Sequence, residues 1–350
     1  MLKTRIDYII VGQGIAGSSF AMQLMKRNLN FVVYDVPENN NSSSVAGGLF
    51  NPITGKNWVK TWKADTLFPY MRTFFRSVED QLDIKIFHER TIYRPFQSLD
   101  IQNDWMGKEA DPFHSPYIRV IHTEPIDEEI VKNPLGGLEL NWGGYIDVPK
   151  YLNGVKKKLV NTSSIIFSTF NERDIFHTEE MIGYQNYLAK KIVFCQGHQA
   201  GAGSLWNYLP FRPVKGEILT LSVEEKFDNI LNMGVFVLPQ ADGKWKVGAT
   251  YDYNNIDLKT TESGKNQIIN KLNRFFLPKF DVVGHVAGIR PATLDRRPFI
   301  GMHPNVKNIV IFNGLGAKGV TLAPYFSEVL LNFLEHGVEL EKEINVARFN

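Results

Sequence analysis

Three glycines, Gly12, Gly14 and Gly17, stand in the stretch IIVGQGIAG between two apolar runs. At this spacing Gly12 permits a tight turn, Gly14 lets the backbone approach a pyrophosphate, and Gly17 lets a helix pack close to a strand. The amides of a helix that opens there carry partial positive charge and can hold phosphate. Asp35 follows 18 residues after Gly17, at the end of FVVYD. Its carboxylate is placed to accept hydrogen bonds from an adenosine ribose. The pattern predicts a dinucleotide site and leaves NAD and FAD open. A second cluster, Gly314, Gly316 and Gly319 in IVIFNGLGAKGVTLAPY, favours a flavin. It is another close-approach site with a helix start behind it. A helix amino terminus aimed at a flavin pyrimidine edge would stabilise negative charge on the reduced ring.

Other chemistries find little support. No His, Cys and carboxylate cluster has metal-ligand spacing, so no metal is expected. No GxSxG or similar nucleophile arrangement occurs. His198 and His285 are lone histidines and read as structural. Cys195, the single cysteine, sits in the apolar run KIVFCQG and reads as a buried small hydrophobe. With one cysteine there is no intrachain disulfide, which suits a reducing compartment. Lys and Arg total 39 against 37 Asp and Glu, a net charge of +2. That balance does not advertise a nucleic-acid or anionic-membrane surface. The local clusters Lys156 to Lys158 and Lys190 with Lys191 read as a solvated helix face and a strand start. The run YIIVG is too short to span a membrane and lies too near Met1 for a signal peptide. The expectation is a soluble, cytoplasmic protein.

The elements that must position these groups are partly legible. IDYIIVG and FVVYD are nearly continuous apolar runs, as in strands buried on both faces of a parallel sheet. Between them, Ile15 to Arg27 has apolar residues near helical spacing. The whole is a βαβ unit. PENNNSSSVAGG reads as a binding loop, and Leu67 to Leu82 as an amphipathic helix. From Phe87 to Leu140 the pattern is one of short strands. A helix is predicted at Val148 to Leu159 behind an Asp147 cap, and a buried strand at Lys190 to Gly197. EILTLSV, GVFVLPQ and WKVGATY read as strands, and Glu262 to Phe276 as a helix. The expected class is therefore α/β: a Rossmann-like FAD-binding domain interleaved with an antiparallel β-sheet substrate domain. The first would comprise residues 1–86, 144–205 and 286–350, the second 87–143 and 206–285.

Eight stretches in order carry a family resemblance: GQGIAG with Asp35, VAGGLFNP, GYIDVPKYL, IVFCQG, RPVKGEIL, VFVLPQADGKWKVGATY, GIRPATLDRRPFIG and NGLGAKGVTLAP. Over residues 6 to 330 the chain resembles the FAD-dependent D-amino-acid oxidase family, in its glycine/sarcosine oxidase-like branch. The resemblance implies FAD, and oxidation of an amine by hydride transfer to flavin N5. Imine hydrolysis follows, with reoxidation by oxygen or another acceptor. Some relatives attach the flavin through cysteine; with Cys195 inside a strand, non-covalent binding is expected here.

The resemblance also implies site residues. Arg290 matches an arginine that grips a substrate carboxylate, and a planar guanidinium fork suits that task. Lys318 matches an often basic position near the flavin carbonyls or the substrate. Tyr251 and Phe236 match pocket positions on the sheet over the flavin. Relatives often carry a tyrosine where Phe236 stands, and losing that hydroxyl counts against a simple glycine-type substrate. Asp295 is assigned to turn structure. The flavin is expected at Gly12, Gly14, Ile15, Ala16, Gly17 and Asp35, at Ser44, Ala46, Gly47 and Gly48, and at Gly197 and Arg290. It is also expected at Gly314, Gly316, Ala317, Lys318, Gly319, Val320 and Thr321.

Two other readings share the fold. GGLFNP, GATYDYNN and GLGAKG also resemble the oxidase half of the bifunctional enzyme that matures methylaminomethyl-uridine in tRNA. That enzyme acts on a carboxymethylated amine on RNA. The near-neutral charge argues for a small-molecule amine or amino acid instead. The third reading is a flavin dehydrogenase that passes electrons to a partner.

Overall fold

The computed structural model describes residues 3–36 and 42–349. Two eight-stranded sheets organise the chain. The first has the order Ile165–Phe167, Phe31–Asp35, Thr4–Val11, Tyr187–Phe194, all parallel. Tyr187–Phe194 shares its far edge between two partners. Its first half pairs antiparallel with Ile182–Tyr184, and its second half pairs parallel with Ile309–Asn313. Ile175–His177 and Phe299–Met302 complete the sheet as antiparallel strands.

The apolar runs are continuous because both faces of this sheet are covered. Tyr8, Ile10 and Val33 point into one buried cluster, and Ile9, Val11, Val32 and Tyr34 into another. Helices Ile15–Lys26, Ala64–Leu82, Val148–Asn161 and Gly319–His336 pack together on the first of these faces. Asp147 caps its helix as expected: its carboxylate accepts from the Lys150 amide at 3.1 Å.

The second sheet runs Phe280–Arg290, Val214–Val223, Lys244–Gly248, Phe236–Pro239, Ile230–Asn232, Ile92–Pro95, Gly137–Leu140, Ile118–His122. All neighbours are antiparallel except Ile230–Asn232 against Ile92–Pro95. Side chains alternate between its faces. Leu219, Leu221, Val237, Trp245 and Val247 form a core under the helix Glu262–Leu272. Ile218, Phe236, Lys246, Gly248 and Arg290 lie on the opposite face, turned toward the first sheet. A small sheet joins Leu49–Phe50, Gly144–Ile146 and Phe87–Glu89. A hairpin, Ile53–Thr54 with Val59–Lys60, stands beside it.

Three differences from the sequence expectation have local causes. Leu99–Lys108 is a helix inside the segment read as short strands. Only Gln102 and Trp105 of this helix are buried, too few to write a period. Its signal was the Ser98 cap, whose hydroxyl accepts from the Ile101 amide at 3.3 Å. Ser42–Val45, expected as loop, forms one helical turn; Pro37 to Asn41 of the same run lie outside the described residues. The helix from Glu262 ends at Leu272, so Phe275 and Phe276 reach the core from beyond its end. Among the described residues no helix is long and apolar enough to cross a membrane.

Candidate active site

Both glycine loops lie at the carboxyl ends of parallel strands, where open α/β sheets place ligands. Gly12 has φ of +99°, and a Cβ there would fall 2.8 Å from the Cys195 carbonyl oxygen. A Cβ on Gly17 would fall 1.9 Å from the Gly12 oxygen, so the turn closes only with glycine at both positions. Gly14 differs. Its added Cβ would meet nothing nearer than Ser43 Oγ, at 3.5 Å, so its backbone is approachable. The amides of Ile15, Ala16 and Gly17 begin the helix and have no intrahelical acceptor. That of Ile15 donates to Ser43 Oγ at 3.2 Å.

Asp35 stands at the neighbouring strand end, and its carboxylate accepts from the Gln13 amide at 2.9 Å. Burial pushes its carboxyl above the ordinary value, against the pull of that amide and of Lys156.

The second loop is fastened to the first. Gly314 and Gly316 have φ of +75° and +55°. The Gly316 amide donates to the Pro291 carbonyl at 3.1 Å. A Cβ on Gly319 would fall 2.9 Å from Ile15 Cγ2, so the last helix begins against the start of the first. Val320 and Thr321 are buried in its first turn, and Ala317 is exposed just before it. Asn313, not foreseen from sequence, links this loop to Gly197. Its side-chain amide donates to the Gly197 oxygen at 2.9 Å, and its carbonyl accepts from Gly314 N at 2.8 Å. An asparagine directly before the glycine cluster was the available signal. Gly197 has φ of +58°, with open space where its Cβ would be.

The segment Ser42 to Gly48 joins this cradle to the second sheet. The Ser42 hydroxyl donates to the Ile289 carbonyl, and Val45 fills the space left by Gly288. Ser44 lies in the same turn, half-buried. Gly47 lies under the Phe236 ring, where a Cβ would fall 2.9 Å from Cζ. Gly48 has φ of +68° and packs on the Ile146 carbonyl. Ala46 offers its carbonyl to Lys246 Nζ at 3.4 Å. Lys246 was also missed. Burial pulls its amine below the ordinary lysine range. Its facing is set by strand alternation, legible only once the register is known.

Arg290 ends the strand Phe280–Arg290. Its guanidinium donates to the Thr250 carbonyl at 3.2 Å and lies 4.4 Å over the Tyr251 ring. It forms no ion pair among the described residues, and burial pulls its pKa below the ordinary value. Gly216 makes room for it; a Cβ there would fall 2.1 Å from Nη2. Tyr251 follows the strand end at Gly248 and is 60% exposed. It forms a rim to the site, outside the sheet face where it was expected.

Lys318 caps the last helix, and its Nζ donates to Thr61 Oγ1 at 3.2 Å and Thr54 Oγ1 at 3.4 Å. Burial, with Arg297 and Arg296 nearby, pulls it down to about 8. Asp295 accepts from the Arg297 amide at 3.0 Å and from Arg348 Nε at 2.9 Å. His285 lies on the reverse sheet face, 2.7 Å from the Glu217 carboxylate. His198 is half-buried and pulled toward neutrality by burial. A cavity of about 470 Å³ opens at the far end of the first helix, beside Met25, Leu29, Phe31 and Leu82. Among the described residues Lys158 is its one ionisable lining residue.

A family model described as FAD dependent oxidoreductase matches residues 7–332. The chain is similar to a glycine oxidase of Pseudomonas putida, 23% identical over 93% of each chain. It is 22% identical to the tRNA 5-methylaminomethyl-2-thiouridine biosynthesis bifunctional protein of Aeromonas hydrophila, over 93% of this chain and 55% of that one. The crystal structure of glycine oxidase from Geobacillus kaustophilus superposes with a TM-score of 0.79 at 18% identity, covering 99% of this chain and 98% of that chain. The residues present fit FAD: two approachable glycine backbones, the first-turn amides of Ala16 and Gly17 with no intrahelical acceptor, and a half-buried carboxylate at the adjacent strand end.

Two expectations follow. Gly14→Val should abolish FAD binding, since a branched side chain would enter the approachable space; stoichiometric flavin in the purified variant would contradict the cradle. Lys318→Met should raise Tm at neutral pH. The folded state holds this amine with a lowered pKa, so folding below about 8 must bury a charge that the unfolded chain solvates. That cost fades as pH rises through 8 toward the ordinary lysine value. The Tm difference between variant and wild type should shrink over the same range, and a pH-independent difference would refute the assignment.

Proposed function

The chain belongs to the FAD dependent oxidoreductase family, and on that premise we propose that it oxidises the C–N bond of an amino acid or an N-substituted glycine. The observation that carries this reading is Arg290. A largely buried guanidinium with backbone acceptors and a tyrosine face, and no carboxylate among the described residues, is electrostatically incomplete. A substrate carboxylate completes it with a bidentate pair. Lys318, about 8 in pKa, is mostly protonated at neutral pH and adds a second cation. Phe236, seated on Gly47, gives an apolar wall that keeps water from the reacting carbon.

Bound FAD supplies the hydride acceptor. The chain's own residues bind and orient: the carboxylate is held at Arg290 so that the carbon beside the nitrogen is presented in one pose. Asp295 is engaged by Arg297 and Arg348 and serves the turn. An amine that arrives neutral needs no base, and reaction should quicken as pH rises toward the substrate amine's own pKa. Oxygen or another acceptor then completes turnover.

A second reading places the same chemistry on an amine carried by RNA. Its support is the rim. Tyr251 and Tyr253 are 60% and 51% exposed, Leu294 is 62% exposed, and Arg212 lies 5.1 Å over Tyr253. Exposed aromatics beside arginines suit stacked bases. The net charge of +2 keeps any phosphate track short, and the free amino acid remains the primary reading.

The test is an anaerobic screen of amines and N-substituted amino acids, read by bleaching of the flavin. Arg290→Ala should raise KM about 10- to 100-fold for the compound found. An unchanged KM would mean that the substrate carries no carboxylate there. Bleaching by a carboxymethylaminomethyl-bearing RNA, and by no free amino acid, would transfer the assignment to the second reading.

A further inference from the structure

Arg94 lies in the strand Ile92–Pro95 and is 4% exposed. No carboxylate approaches it among the described residues; burial alone pulls its pKa down, to about 10, so it stays charged through neutral pH. Its Nη1 donates to the Ile53 carbonyl at 2.8 Å and its Nη2 to the Gly55 carbonyl at 3.0 Å. The guanidinium lies 3.9 Å over the Trp58 ring, and Nε has no partner. A fully desolvated cation with only two backbone acceptors is costly for stability. What those acceptors share is position: Ile53 and Gly55 flank Thr54 on either side.

Thr54 and Thr61 are the two residues whose hydroxyl oxygens receive the Lys318 ammonium. Thr61 gives its own proton to the Asn51 carbonyl at 2.9 Å, which leaves its lone pairs for Lys318. The Ile53 amide donates to the Asn51 side chain at 3.0 Å, so the hairpin base is tied as well. A chain of contacts thus runs from the second sheet, through the hairpin, to the helix start of the first. We propose that Arg94 is a positioning residue: its planar fork clamps the hairpin on both sides of Thr54, so that Thr54 and Thr61 hold the Lys318 ammonium in the active site. The proposal rests on the reading of Lys318 as part of the substrate site.

The test uses the yellow holoenzyme and acetate, a carboxylate with no amine to oxidise. Acetate binding is followed by the flavin absorbance from neutral to alkaline pH. In the wild type, Kd should rise as pH passes about 8 and Lys318 loses its proton. Lys318→Met should flatten that rise. Arg94→Lys replaces a two-pronged fork with one compact cation. The hairpin then loosens, water reaches Lys318, and the midpoint should move up by about one pH unit, a tenfold change in the ammonium-to-amine ratio. In the Lys318→Met background Arg94→Lys should change nothing further. An unmoved midpoint in Arg94→Lys overturns the proposal, as does an equal effect of Arg94→Lys with and without Lys318. If Arg94→Lys does not fold, Trp58→Leu removes the stacking surface beneath the fork and is held to the same outcomes. A wild type whose acetate affinity shows no step near pH 8 would instead sink the Lys318 assignment itself, and this proposal with it.

Discussion

The contact between Ile15 and Gly319 holds two distant ends of the chain at one point. It is possible because Thr4–Val11 and Ile309–Asn313 both run parallel to Tyr187–Phe194, on opposite sides of it. Parallel strands bring their carboxyl ends to one edge, so both helices start there and both dipoles point the same way. Gly319 matters because a side chain would force the two helix starts apart. Lys318, directly before Gly319, is brought beside the first glycine loop by the same closeness.

Charge is arranged differently on the two faces of the antiparallel sheet. On the reverse face Lys215 reaches Asp257 at 2.6 Å, and Glu217 accepts from the Thr261 amide and hydroxyl at 2.9 and 2.8 Å with His285 beside it. Lys215, Glu217 and His285 each have a partner. On the face turned toward the cradle, Arg290 and Lys246 have only carbonyls or a ring as partners among the described residues. Lys318, across from them, has only hydroxyls among the described residues. The overall balance of +2 conceals this asymmetry. Unpaired buried cations cost stability, and proteins tolerate such costs where function requires them.

How much was legible in the sequence follows from how local each signal is. The glycine loops, Asp35 and the Asp147 cap could be read because turn geometry and capping act over a few residues. The helix Leu99–Lys108 was not read, because it buries only Gln102 and Trp105 and so sets no period, leaving the Ser98 cap as its one local mark. Arg290 was reached through eight ordered stretches, and its lack of a carboxylate partner among the described residues was visible only in three dimensions. Lys246, Asn313 and Arg94 escaped notice for the same reason: each gains its meaning from a residue at least 40 positions away. Tyr251 moved to the rim because its strand stops at Gly248, and a strand's last residue is poorly marked in sequence.

The central position of Tyr187–Phe194 also sets an order of events during biosynthesis. A ribosome delivers the βαβ unit of residues 4–35 about 150 residues ahead of its partner strand. Until then the edge of Thr4–Val11 that will meet Tyr187–Phe194 carries unpaired amides and carbonyls on a strongly apolar strand. Ile309–Asn313, which pairs with the other side of that strand, emerges later still. Pairings this remote close slowly, and the waiting edge invites association with other chains. A nascent chain of this protein therefore has a long interval in which a chaperone, or simply a low local concentration of neighbours, decides its yield.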